Sequence, residues 1–178
     1  MSDAKELFEQ LEREAVAKYG IRIRTKRDNL WLWKTIHYIL LVLSFGQMKT
    51  FLTGFVTTLG RDIYWPLGWS RKHISKEDYI TLRHELKHVY RFLQFGLGCA
   101  ILGIIVFGFL YLFVPLPVLF AWFRYFFERE AYLESYHAAK EVGLQPNIMT
   151  FVDLLSGPKY LWTWVLRGQV KKWFLKNV

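Results

Sequence analysis

A chain of 178 residues suits a single domain and is long enough to bury a core of its own. It is 53% hydrophobic and 19% aromatic, with a net charge of +9 from 24 Lys+Arg against 15 Asp+Glu. Soluble domains rarely carry so much aromatic surface, and no nucleic-acid-reading motif accompanies the charge. The composition therefore points to anionic membrane lipid as a partner and away from nucleic acid.

Residues 3–18 read as an amphipathic helix with Leu7, Phe8, Leu11 and Ala15 on one face, ended by Gly20. This acidic start lacks the basic-then-apolar order of a secretory leader, so the chain is expected on the cytoplasmic side of an inner or plasma membrane. IRIRTKR, 21–27, alternates apolar and basic residues and predicts a strand, which completes a first segment over 1–29. From Leu30 to Met48 the chain is apolar and aromatic, interrupted by Lys34. Its uncharged part, Thr35 to Met48, has 14 residues, too few to cross a bilayer and suited to a buried or interfacial helix.

GFVTTLGRDIYWP, 54–66, predicts a β-hairpin around Gly60 and Arg61. Ser75, with Asp78 three residues on, caps a helix from Lys76 that closes the second segment, 30–95. From Phe92 to Phe123 follow 32 residues without a charged side chain. The single cysteine, Cys99, lies among them, so no intrachain disulfide forms, and it reads as a small buried hydrophobe. As a helix, Cys99 to Val114 spans about 24 Å, short of a hydrocarbon core of about 30 Å. Pro115 to Pro117 then turn the chain, and Val118 to Phe127 return it.

Residues 96–123 thus read as a helical hairpin dipping into the membrane with both ends on one side. The rival, a full crossing by Leu93 to Val114, would put its two flanks on opposite faces; the cations on those flanks favour neither side. A helix from Val118 to Val142, with Gly143 at its C-cap, contains the fourth segment, 124–143. In the last, 144–178, Trp162, Trp164, Trp173 and Phe174 stand beside Arg167, Lys171, Lys172 and Lys176, the composition of a helix lying in a membrane interface.

The stretch RHELKHVYRF, 83–92, carries the clearest chemistry. On a helix of about 100° per residue, His84 and His88 lie only about 40° apart and can reach one ion. Glu85 sits about 100° round from His84, near enough to act on a water at that ion without ligating it. Two neutral nitrogen ligands and a carboxylate base are what a hydrolytic zinc site requires. By residue frequencies, such a motif arises by chance in roughly one chain in a hundred of this size, so its context decides. Leu82, Leu86, Val89 and Leu93 form a separate apolar face, which leaves the histidines turned elsewhere.

A third ligand should come from another helix. In RYFFEREAYLESYHAAKEVG, Glu130, Glu134, His137 and Glu141 cluster as a solvated stripe. Glu128 shares its face with Ala131, Tyr132, Ser135 and Ala139, whose small members let another helix approach. Glu128 is therefore the carboxylate aimed at a neighbour. The competing reading is a buried ion pair with Arg124 or Arg91; Arg91, Arg124 and Tyr132 are also candidates to support the site or hold substrate. His37, His73 and His137 lack matching partners and read as structural or exposed. Tyr64, Tyr132 and Tyr136 are candidate donors to a developing oxyanion.

HELKH at 84–88 followed by FEREAY at 127–132 resembles the gluzincin branch of the zincin metallopeptidases, and its membrane-embedded prenyl-protein and heat-shock-type members also place hydrophobic segments between these motifs. The resemblance covers roughly residues 54–143. It implies a zinc ion held by His84, His88 and Glu128, with Glu85 as general base in peptide-bond hydrolysis. The family's glutamate often opens an E-x-x-A-D pattern, and Tyr132 stands where that aspartate orients a ligand histidine. The hairpin strands would line a cleft for extended substrate, or simply pack. The expected fold is α+β: mainly helical with a small hairpin or sheet, a minimal zincin-like core with an apolar helical hairpin between the metal-binding helices. The competing expectation is a non-catalytic membrane anchor or interaction protein, or a degenerate zincin that holds metal without turnover.

Overall fold

The alternating segment after Gly20 forms β1 (Arg22–Thr25), and the hairpin forms β2 (Thr57–Leu59) and β3 (Asp62–Trp65). The structure, a computed structural model, describes residues 2–43, 46, 48–94, 121–157 and 167–178. Gly60 takes φ +65°, the left-handed backbone that a tight hairpin turn needs and glycine supplies without a clash. The strand order is β1-β3-β2, with β2 antiparallel and β1 parallel to β3. Parallel pairing requires a crossover, which residues 26–56 provide. Among the described residues β1 and β2 are the two edge strands of the sheet. The class is α+β, mainly helical with a small mixed sheet, as the sequence predicts.

Helix α1 (Ser2–Tyr19) buries Phe8 and Ala15 on the face the sequence marks, against Trp65 and the apolar side of the motif helix. The crossover contains α2 (Leu30–Leu43) and the short turn α3 (Phe51–Gly54); Trp33 of α2 is buried against Phe51 and Tyr64. The motif helix, α4, runs Lys76–Gln94. Its start carries the expected reciprocal cap: Ser75 N donates to Asp78 at 2.8 Å, and Asp78 N donates to the Ser75 hydroxyl at 3.2 Å. Leu82, Leu86 and Val89 enter the main core, so the histidine-bearing side is left for another neighbour.

That neighbour is α5 (Ala121–Glu141), antiparallel to α4. Ala131, Ser135, Ala138 and Ala139 are buried, which lets the two backbones approach. Ion pairs flank the contact: Arg83 with Glu134 and Glu141, Lys87 with Glu134, and Arg91 with Glu130. Glu130 and Glu134 are therefore not a merely solvated stripe, because the cations on the flank of α4 reach across the narrow contact to them. His137 is exposed, as expected.

The C-terminal segment departs further from expectation. Asn147 caps α6 (Ile148–Ser156), accepting from Met149 N at 2.9 Å, and α7 (Arg167–Asn177) packs with it. Val152, Leu155, Val170 and Phe174 close a second core with Tyr125 of α5. Phe174, expected as a membrane anchor, is fully buried there, and Trp173 lies partly buried against Arg129. The helical period turns their side chains inward and leaves the lysines in solvent. Among the described residues no helix is long and apolar enough to cross a membrane. The hairpin expected at 96–123, apart from the first residues of α5, lies outside the described residues, as do Cys99, Trp162 and Trp164.

Lys26, which the alternation assigns to the strand, is fully buried. Asp28 accepts from the Thr25 amide at 2.9 Å and the Thr25 hydroxyl at 3.1 Å, ending β1 in a tight turn that swings Lys26 inward. Its ammonium donates to the carbonyls of Phe51 and Phe55 at 2.6 and 2.7 Å and lies 3.8 Å from the Phe51 ring centre. Burial lowers its pKa from 10.5 to about 8, partly offset by the Glu85 carboxylate. The unfolded chain thus binds more proton between about pH 8 and 10.5, and stability rises with pH across that window. Relative to Lys26→Met, the wild type should gain on the order of 2–3 kcal/mol of unfolding free energy over this range, measured by denaturant titration in detergent.

Candidate metal centre

His84 and His88 project from adjacent turns of α4 toward α5, and Glu128 projects back from α5 between them. The pairwise separations are 3.2 Å between the two histidine Nε2 atoms, 3.5 Å from His84 Nε2 to Glu128 Oε2, and 3.8 Å from His88 Nε2 to the same oxygen. A tetrahedral zinc ion with bonds of about 2.0–2.1 Å separates its ligands by about 3.3–3.4 Å. A salt-bridged or hydrogen-bonded carboxylate would approach an imidazole nitrogen to about 2.8 Å instead. The triangle has the size of an ion's coordination face. His84, His88 and Glu128 are the group among the described residues whose ligand atoms could hold a metal ion.

The surroundings fit that use. Glu128 is only 4% exposed, so its carboxylate is held inside the helix contact with the two imidazoles. The reading of Glu128 as a partner of Arg91 fails, because Arg91 donates to Glu130 at 2.7 Å and is held there. The side chain of Arg124 lies outside the described residues.

His84 is oriented from its far side. Its Nδ1 lies 3.1 Å from the Ser135 hydroxyl, which itself donates to the Ala131 carbonyl at 3.2 Å. The Ser135 hydroxyl thus holds the Nδ1 side of the ring, which turns Nε2 toward the triangle. Burial lowers the His84 pKa, but the Glu128 and Glu85 carboxylates outweigh it and hold the pKa above its ordinary value. The cavity thus favours positive charge at this position.

Glu85 is buried beside the triangle and accepts a 2.6 Å hydrogen bond from the Thr58 hydroxyl of β2. This ties the motif helix to the edge strand. Tyr132 packs edge-on to the His84 ring, with centroids 4.8 Å apart, where the family pattern has its aspartate. Ser135 does the orienting instead. Tyr64 belongs to the Trp33–Phe51 cluster, and Tyr136 packs on Phe151, so Tyr132 is the tyrosine in contact with a candidate ligand.

The sequence marks Ser135 as the hydroxyl two turns beyond Glu128 on the same face but does not assign it to His84, and no local signal pairs Thr58 with Glu85. Comparison of the chain with known protein families, curated proteins and solved structures gives no match.

If Ser135 fixes the His84 ring, Ser135→Ala should lower zinc affinity about 10–100-fold, measured by competition with a chromophoric chelator. Unchanged affinity would mean that the ring is held without this bond.

Proposed function

We propose that the chain is a membrane-associated zinc metallopeptidase of gluzincin type. The observation that carries this reading is the convergence of His84, His88 and Glu128, with Glu85 one residue along the same helix. The donor set of two imidazoles and one carboxylate is that of hydrolytic zinc sites, in which a fourth position stays open. Zinc bound there would supply Lewis acidity toward water and the scissile carbonyl.

The chain's own residues do the rest. Glu85 takes a proton from the attacking water, whose oxygen bonds to the carbonyl carbon. As the C–N bond breaks, Glu85 returns that proton to the leaving amine; the acid formed passes the water's second proton to the amine, and the products are a carboxylate and an ammonium group. The Thr58 hydroxyl holds one Glu85 oxygen, leaving the other to accept the proton. β2 stands at the sheet edge next to this base, so an extended peptide could add to it through backbone hydrogen bonds. Lipid association rests on the uncharged run from Phe92 to Phe123.

Full-length protein purified in detergent should hold one zinc per chain, and His88→Ala should lose it. Glu85→Gln should keep the metal while hydrolysis of a peptide library falls about 10²–10⁴-fold. Stoichiometric zinc with no cleavage by the wild type would instead mark a structural metal site. Thr58→Val should retain zinc and slow turnover by about tenfold or more, read as kcat at saturating peptide, because the base loses its orienting bond.

A further inference from the structure

Helix α2 is apolar on two opposite sides. One side is used inside the fold: Trp33 is buried in a cluster that also takes in Ile36 and Leu40, and through it α2 rests on Tyr64 and Phe51. The other side is open. Trp31 is 78% exposed, Val42 75%, Tyr38 64% and Ile39 45%, which are the largest apolar exposures clustered on any one described helix. At about 100° per residue, Lys34, Tyr38, Trp31, Val42, Thr35 and Ile39 share an arc of about 140° opposite Leu40. An unpartnered stripe of this kind calls for an occupant.

We infer that this outer face of α2 is the surface by which the protein docks on an anionic lipid bilayer, lying in the plane of the interface. Charge selects lipid over other occupants. Between Asn29 and Gly60 the ionised side chains are Lys34 and Lys49, with no acidic residue, and both lysines are exposed. Two copies joined through this face would bring two Lys34 ammoniums together with no carboxylate from the same stretch to pair them. A bilayer offers phosphate to the lysines and acyl chain to Val42 and Ile39. Trp and Tyr prefer the boundary between the two, and Lys34 can reach headgroups while its stem stays apolar. The helix has 14 residues, about 21 Å, so it suits lying on the membrane and not crossing it.

This surface deepens the lipid association proposed above and is independent of the metal site. Through Trp33, Phe51 and Tyr64, α2 abuts the segment leading into β2. A docked α2 would therefore hold the edge strand and Glu85 near the lipid boundary, where membrane-bound polypeptide would be presented.

The test uses the full chain in a Cys99→Ala background. A single cysteine at Tyr38 or Val42, labelled with an environment-sensitive fluorophore, is compared with one at exposed Lys140 of α5. Each protein is reconstituted with vesicles of phosphatidylcholine and phosphatidylglycerol, with or without brominated acyl chains. Labels at 38 and 42 should shift to the blue and be quenched severalfold more strongly than the label at 140. Lys34→Glu with Lys49→Glu should reduce that quenching in anionic vesicles and have little effect in phosphatidylcholine alone. Water-like emission at 38 and 42 in vesicle-bound protein would overturn the docking surface while leaving lipid association intact. A blue shift without lipid quenching would also overturn it, since the face would then be covered by protein. Failure to co-float with vesicles would overturn both this surface and the proposed lipid association, whereas zinc content, read on the same samples, reports separately on the metal site.

Discussion

The close antiparallel contact between α4 and α5 is the constraint on which the rest depends. Ala131, Ser135, Ala138 and Ala139 keep side-chain bulk out of it, so the backbones come near enough for a carboxylate on one helix to reach imidazoles on the other. Larger residues there would separate the three candidate ligands beyond the reach of one ion. The flanking pairs of Arg83 and Arg91 set register more than they add stability, since partly exposed ion pairs each contribute on the order of 1 kcal/mol or less. Hydrophobic burial along Leu82, Leu86 and Val89 supplies the main anchorage of α4.

Within that contact the electrostatics converge on a cation. A carboxylate taken out of water is costly unless a positive charge faces it. Glu128 Oε2 lies 3.5 and 3.8 Å from the Nε2 atoms of His84 and His88, while Arg91 is held by Glu130. The 3.1 Å contact of His84 Nδ1 with the Ser135 hydroxyl holds the ring from behind. The three candidate ligand atoms thus face one another across the helix contact in a group that could hold a metal ion.

The sheet is coupled to this centre through one bond, from Thr58 to Glu85. Behind it, Lys26 clamps the carbonyls of Phe51 and Phe55 and so fixes the lead-in to β2. The same segment is covered by Trp33 of α2. A chain of contacts therefore runs from α2 through β2 to Glu85, which links the helix inferred to meet lipid to the candidate metal centre.

Much of this was legible from local order. Helical period predicted which side of α4 enters the core and which face of α5 carries Glu128, and the Ser75–Asp78 cap, the Gly60 turn and the helix end before Gly143 followed from short-range stereochemistry. These features depend on neighbours a few residues away, so sequence suffices. The inward turn of Lys26, the stapling of Glu130 by Arg91, the burial of Phe174 and the pairing of Thr58 with Glu85 depend instead on residues distant along the chain. Periodicity says that a side chain has a face, but only packing says what stands opposite it. The motif and the helical period could name His84, His88, Glu85 and Glu128 as candidates; only the approach of the second helix, set by its small-residue face, shows that Glu128 meets the two histidines and that Ser135 stands behind His84.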